Sequence, residues 1–255
     1  MKIINPLEEL DEEELRARLE GAALPTHVAV IMDGNGRWAR SRSLARIRGH
    51  HAGVKAVREA VTACREVGVK YLTLYAFSSE NWERPALEVR ALMQLLKNYL
   101  VGERDELLEK QIRLEAMGRL DRLPKDVRAE LDETIALTAL HDELTLTLAL
   151  SYGGRAELTD AVRALVAAGE CDVDEGTIGR YLYAPDHPDP DLLVRTSGEL
   201  RVSNFLLWEI AYAEIYVTNV LWPDFRARHM YAALLDYANR ERRYGRVSAA
   251  EGGGR

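Results

Sequence analysis

The chain has 255 residues, 47% of them hydrophobic, and a formal net charge of -7. That length and apolar content suffice to bury the core of one large α/β domain. The acidic balance excludes non-specific nucleic-acid binding, which needs a basic surface to release phosphate counterions, so any anion site has to be local. Cys64 and Cys171 stand far apart and form no C-x-x-C, which excludes a disulfide framework or a zinc site and fits a reducing, cytosolic setting.

The first element, "LDEEELRARLE", places acids early and arginines late, as a helix dipole favours, and Leu10, Leu15 and Leu19 give it a thin apolar seam. It predicts a peripheral N-terminal helical segment over residues 1–25. From 26 to 246 the pattern alternates as one catalytic domain. "HVAVIM" (27–32), "YLTLYAF" (71–77), "IRLEAM" (112–117), "LTLTLAL" (144–150), "DLLVR" (191–195) and "EIYVT" (214–218) read as strands. Helical stretches separate most of them. In one, Val57, Ala60, Val61 and Cys64 recur at i, i+3, i+4, i+7 before Gly68, where a C-terminal cap belongs, which makes Cys64 a core residue. The predicted fold class is α/β, a single domain with a mainly parallel central sheet of about six strands and helices on both faces. "VSAAEGGGR" predicts a flexible tail over 247–255. No apolar run approaches the roughly 18 residues of a membrane span, so the expectation is a soluble chain without signal or anchor.

In such a sheet ligands gather beyond the carboxyl ends of the strands, and three strand ends are chemically loaded. After the first strand comes Asp33-Gly34-Asn35-Gly36-Arg37-Trp38. Glycines let backbone amides approach an oxyanion, a helix start adds its positive end, and Arg37 offers a planar fork for phosphate. Asp33 would repel that phosphate unless a divalent cation sat between them, and Mg²⁺ binds in this way, through one or two carboxylates plus substrate phosphates. The same stretch also reads as a tight turn. As a dinucleotide fingerprint, G-x-G-x-x-A, it lacks the acid expected at the end of the next strand.

The second loaded end, "FSSENWERP", clusters Ser78, Ser79, Glu80, Asn81, Trp82 and Arg84 before Pro85, a natural helix opener. A polar N-cap explains one or two of these residues, not six. The third, "RTSGELRVSNF", sets Arg195, Arg201, Val202 and Ser203 around a glycine turn, a second anion site, and Glu214 supplies a second carboxylate for the metal. Two anion sites and one metal point to a reaction between two phosphorylated molecules.

"HVAVIMDGNGRWA", "LTLYAFSSENWERP", "SYGGRAEL" and "RTSGELRVSNFLLWEIAYAEIYVTNVLWPDF" together resemble the cis-prenyltransferases, the undecaprenyl diphosphate synthase family, over about residues 25–245. The resemblance implies a cytoplasmic, Mg²⁺-dependent homodimer. It would add isopentenyl diphosphate repeatedly to an allylic diphosphate such as farnesyl or geranyl diphosphate, forming cis double bonds. The polyprenyl diphosphate product, such as undecaprenyl diphosphate, would serve as a glycan carrier lipid, with peripheral membrane contact for its release. Carried over, the allylic diphosphate site falls on Gly34, Asn35, Gly36, Arg37 and Trp38, with Arg46 and His50 reaching in. The isopentenyl diphosphate site falls on Arg195, Arg201 and Ser203. Asp33 and Glu214 match the metal ligands, and Asn81 with Ser78 matches the group associated with proton removal.

The helix "ALEVRALMQLLKNYL" carries Leu92, Leu95, Leu96 and Tyr99 on one face, broadened by Ala91, Met93 and Leu100. The surplus fits either plain core packing or, as the family implies, the wall of a product tunnel beside strand 144–150. The chain departs from the family pattern at Ser197 and Ser43, where glycine is common, and at Ser151, where asparagine is. Two other classes fit the residues less well. A non-catalytic subunit of a heteromeric prenyltransferase would have its catalytic aspartate and arginines degraded, and here they are intact. A nucleotide-dependent oxidoreductase lacks its second-strand acid.

Overall fold

A computed structural model describes residues 5–240; the tail predicted over 247–255 lies outside them. Helix α1 (Glu12–Leu19) opens with Asp11, whose side chain accepts from the Glu14 amide at 2.8 Å. It then follows the order β1 (His27–Ile31), α2 (Asn35–Ser41), α3 (Arg46–Val67), β2 (Tyr71–Ser78), α4 (Ala86–Gly102), α5 (Arg104–Glu109) and β3 (Ile112–Met117). The second half runs α6 (Lys125–Thr138), β4 (Leu144–Tyr152), α7 (Gly154–Ala168), α8 (Glu175–Gly179), β5 (Leu192–Arg195), β6 (Glu214–Val217) and α9 (Ala227–Ala238).

The six strands form one sheet in the order β3-β4-β2-β1-β5-β6, and every pairing is parallel. This is the predicted α/β architecture, without the 3-2-1-4-5-6 order of dinucleotide-binding sheets. From β1 the chain moves to one side through β2 and β4, then returns to place β5 on the other side. The crevice that a reversal of direction opens lies between β1 and β5.

Both sheet faces are covered, as a parallel sheet requires, and β4 is buried along its whole length, so the threonines that alternate with its leucines are covered too. Val28 and Val30 point into the larger core with α3 and α9, while Ala29 and Ile31 face a smaller cluster around Tyr152 and Phe205. On α3, Ala60, Val61 and Cys64 are buried as predicted, and Gly68 closes the helix at φ 91°. Burial pushes the Cys64 thiol far up, so it packs and does not react. Leu15 and Leu19 of α1 are buried, with α1 packed on α9. His27, first in β1, is also buried. Its Nδ1 meets the Pro188 carbonyl at 2.6 Å and its Nε2 the Thr73 hydroxyl at 2.8 Å.

Candidate active site

The four central strands, β4, β2, β1 and β5, bring the loaded segments to one edge of the sheet. Asp33 stands at the switch point. Its backbone is clamped by Thr196, whose hydroxyl accepts from the Asp33 amide at 2.9 Å and donates to the Asp33 carbonyl at 2.7 Å. Its carboxylate accepts from Arg195 at 3.0 Å, from Arg37 at 3.1 Å and from the Gly34 amide at 2.6 Å. Burial alone would raise the Asp33 carboxyl, but the Arg195 hydrogen bond and the charges of Arg37 and Arg195 outweigh it and hold it below the usual carboxylate range. Asp33 is therefore ionised and offers its charge at the mouth of a cleft.

That cleft is a cavity of about 210 Å³ with two chemically distinct ends. Its polar end is lined by Asp33, Gly34, Asn35, Gly36, Arg46, His50, Asn81 and Arg84, and its apolar end by Leu92, Met93, Leu95, Leu96 and Tyr99 of α4 facing Leu148 and Leu150 of β4. The polar end is built by close approach. Gly34 sits at φ 107°, and a Cβ there would meet the Leu221 backbone at 3.0 Å. A Cβ on Gly49 of α3 would lie 2.0 Å from the Asn35 carbonyl, so only glycine lets α3 lie against the start of α2. The first-turn amides of α2, which have no intrahelical partner, thereby face the cavity side of the fold.

His50 is pressed down to about 4 by burial and by the charges of Arg84 and Arg46, so it is neutral, and its Nε2 has no partner. Arg46 and Arg84 converge on one carboxylate, Glu88, at 3.3 and 3.1 Å. Asn81 anchors the 3₁₀ turn Ser79–Glu83: its Oδ1 accepts from the Ser78 amide at 3.3 Å. The Ser79 hydroxyl donates to the Tyr152 carbonyl at 3.1 Å, Glu80 accepts from Asn204 at 2.9 Å, and Trp82 donates to the Ser151 hydroxyl at 2.9 Å. This polar cluster thus ties the ends of β2, β4 and the segment after β5 together.

Beyond β5, Arg195 is only 4% exposed. It donates to the Ser203 hydroxyl at 2.7 Å and to the Arg201 carbonyl, while its Nε is left without a partner. Arg201 is solvent-facing and paired with Glu199 at 2.5 Å. Ser203, Asn204 and Leu206 all adopt left-handed φ, so the segment is held in a costly backbone shape. Val202 packs beside Phe205 in the smaller core.

Of the residues named from the sequence, Arg37, Trp38, Ser78, Ser79, Glu80, Trp82, Arg195, Arg201, Val202, Ser203 and Glu214 do not line the cavity. Arg37 turns to Glu199 at 2.9 Å and to Ser197, forming a bridge from the first loaded loop to the third. Trp38 donates to Asp224 at 2.7 Å with the Arg42 guanidinium 4.2 Å above its ring. Glu214 begins β6 in register with Leu192, itself paired with Val28, and binds Arg240 at 2.7 Å. It lies at the amino end of the strands, about 16 Å along them from the level of Asp33, so within one chain the two carboxylates do not share a cation. No cluster of three or more metal-ligating side chains occurs among the described residues. Asp33, one ionised carboxylate with Arg37 and Arg195 beside it, has the chemistry to hold a divalent cation jointly with phosphate groups.

Ser43, Ser151 and Ser197 share a backbone feature: their φ values are 55°, 50° and 74°, the region that favours glycine and asparagine, and nothing in the structure explains why serine stands there. Sequence reasoning missed Thr196, Glu199 and Asn204, which meet Asp33, Arg37 and Glu80 from far away in the chain, and Glu88, which joins Arg84 one turn before it to the distant Arg46. It also missed Gly49 and Gly53, although a pair of glycines four apart on one helix face signals close approach of another segment.

The "Putative undecaprenyl diphosphate synthase" family matches residues 31–245. The chain belongs to this family. It is 49% identical over 243 residues to the isoprenyl transferase of Heliobacterium mobile, covering 93% of this chain and 94% of that one. It is also 49% identical to the isoprenyl transferase of Geobacter sulfurreducens, over 89% and 94% of the two chains. Among solved structures, lavandulyl diphosphate synthase from Lavandula x intermedia, in complex with dimethylallyl diphosphate, superposes with a TM-score of 0.84 at 35% identity, covering 87% of this chain and 98% of that one. A probable undecaprenyl diphosphate synthase from Campylobacter jejuni gives 0.75 at 34% identity, over 88% and 99%. The protein is thus a prenyltransferase of isoprenoid biosynthesis, and the cleft at the carboxyl ends of β1, β2, β4 and β5 is its candidate active site.

Proposed function

We propose that the protein condenses isopentenyl diphosphate repeatedly onto an allylic diphosphate, forming cis double bonds and a polyprenyl diphosphate. The single observation that carries this reading is the two-ended cavity, an anion-binding mouth continuous with an apolar wall. Arg46, Arg84, His50 and the Gly34–Gly36 loop hold the allylic diphosphate at the mouth. Arg195, Arg201 and Ser203 hold the isopentenyl diphosphate across the switch point. Ionising the allylic C–O bond puts charge onto the leaving diphosphate, and these oriented donors stabilise it where it develops. Mg²⁺, held by Asp33 and the substrate phosphates, would supply further charge neutralisation there. Asn81, being neutral, positions the isopentenyl unit for transfer of its proton to a phosphate oxygen or carboxylate. The chain then grows along Leu92, Leu96 and Leu148, where each five-carbon unit gains roughly 3 to 4 kcal/mol on leaving water.

If Glu214 is a metal ligand, as the resemblance implies, it acts in a homodimer, because within one chain it lies too far from Asp33 to share its cation. Tyr212 and Ile215 beside it, and Val162 and Val166 on α7, are exposed apolar residues suited to such an interface. The deciding experiment is incubation with farnesyl or geranyl diphosphate, labelled isopentenyl diphosphate and Mg²⁺, followed by product sizing and double-bond analysis. Absence of elongation, or trans products, would overturn the reading. Light scattering tests the dimer.

A further inference from the structure

On the sheet face that carries the smaller core, three acidic side chains meet out of water. Glu157, in the first turn of α7, is 1% exposed. It accepts from the Tyr183 amide at 3.0 Å and from the hydroxyl of Tyr152, itself fully buried. Glu209, in the segment after β5, comes within hydrogen-bond reach of Glu157, and its own Oε2 is buried without a donor. Neither carboxyl has an ion-pair partner among the described residues.

The groups around the pair are neutral or engaged elsewhere. His27 and His187 line the cavity of about 210 Å³ that Glu209 shares with Asp189 and Arg180. His27 is held down to about 4 and is neutral, and His187 meets Glu115 at 2.8 Å. Arg180 is exposed and faces Thr177, Asp160 beside Tyr183 is paired with Arg119, and burial raises Asp189. Two adjacent buried carboxyls cannot both ionise, so one proton stays between them. Burial and the Glu157 charge accordingly push Glu209 up to about 8.

The pair joins α7 to the third loaded segment. The Asn204 carbonyl accepts from the Gly154 amide at 2.7 Å and its Oδ1 from the Arg155 amide at 2.9 Å. A Cβ on Gly154 would lie 3.0 Å from the Leu207 amide nitrogen, so α7 starts directly against this segment. Residues 203–209 are thus fastened to α7 near both ends, and the first of them, Ser203, accepts from Arg195 at 2.7 Å. Ser203, Asn204 and Leu206 have left-handed φ, a backbone shape that lasts only while its anchors hold.

We propose that Glu209 is a positioning residue for the isopentenyl diphosphate site: protonated, it donates to Glu157 and holds residues 203–209 against α7, so that Ser203 and Arg195 stay in place to receive the diphosphate. Loss of the shared proton sets two charges side by side and releases that anchor. The proposal rests on the prenyl-elongation reading of the cleft.

The test is the pH profile of labelled isopentenyl diphosphate transfer from about pH 7 to about pH 9, with KM taken for each substrate. In the unsubstituted enzyme the KM for isopentenyl diphosphate should rise about ten-fold over that range, as one group titrating at about 8 dictates, while the KM for the allylic diphosphate stays level. Glu209→Gln keeps a donor to Glu157 and cannot ionise, so its profile should be flat. Glu157→Gln, whose amide donates in the other direction, should be flat too. Glu209→Leu has no hydrogen bond to give and should show the raised KM already at neutral pH. Thermal unfolding by circular dichroism checks that the variants fold and reads the pair without catalysis. The folded chain keeps a proton that the unfolded chain has already released, so between about pH 6.5 and the Glu209 value of about 8 the unfolding constant should rise by up to about ten-fold per pH unit. In Glu209→Gln it should not. An alkaline rise in KM that persists in Glu209→Gln, or equal rises for both substrates, overturns the proposal. If the unsubstituted enzyme elongates nothing at any pH, the prenyl-elongation reading fails and takes the positioning role with it, and the melting curves then show separately whether the pair shares its proton.

Discussion

Asp33→Asn removes one charge and almost no volume, which makes it the cleanest probe of the switch point. Placed from the sequence, Asp33 serves only a metal, and its loss should spare the fold. The structure adds a cost. Arg195 is buried, Asp33 is the one carboxylate it meets among the described residues, at 3.0 Å, and its Nε already lacks a partner there. Breaking a fully buried pair costs about 3 to 5 kcal/mol, but the Asp33 side chain is 30% exposed and screened, so about 2 kcal/mol is expected. For a chain of this size that is a fall in melting temperature of about 4 to 8 °C. Turnover should fall by at least about 10²-fold, because the same carboxylate organises charge around the departing diphosphate. Thermal unfolding by circular dichroism and transfer of labelled isopentenyl diphosphate read the two effects separately. Adding Arg195→Met should restore most of the lost stability, since the stranded charge is then gone, while activity stays lost. An unchanged melting temperature with near-full turnover in Asp33→Asn would refute both the ion-pair argument and the placement of the metal.

Leu96→Trp should shorten the polyprenyl product and Leu92→Ala lengthen it, with little loss of stability because both leucines are only half-buried on the cavity wall. Fixed product lengths on a sizing gel would remove α4 from the tunnel. His27 and His50 are both held near 4 rather than 6.5, so the folded protein refuses protons that the unfolded chain accepts. Stability should therefore fall as pH drops from about 6.5 to about 4, by up to about 3 kcal/mol for each histidine. A pH–melting curve whose slope is the same in His50→Gln would contradict the assignment. Ser43→Gly relieves a left-handed backbone at φ 55° and removes no side-chain hydrogen bond. It should stabilise the protein by about 0.5 kcal/mol after the added unfolded-state entropy, and a lowered urea midpoint would count against that account.

The strands, the long helices and the loaded strand ends were legible because they rest on local periodicity. "HVAVIM" is an apolar run that a sheet covered on both faces buries, "LTLTLAL" alternates with the period of a strand, and Gly68 marks a helix end by its own backbone preference. The resemblance in four motifs fixed the family from residues alone. Strand order is not written in any local run, and strand order set the site. Because β5 lies beside β1, Arg195 meets an aspartate 162 positions away, and Thr196 clamps the same residue from the same strand end. The side-chain directions of Arg37 and Trp38 were likewise decided by tertiary partners, Glu199 and Asp224, which a turn motif cannot contain. Glu214 shows the difference most plainly. In sequence it is a carboxylate opening a strand, a fair metal ligand. In a parallel sheet every strand opens at the end opposite the ligands, so that position carries it away from Asp33 within its own chain.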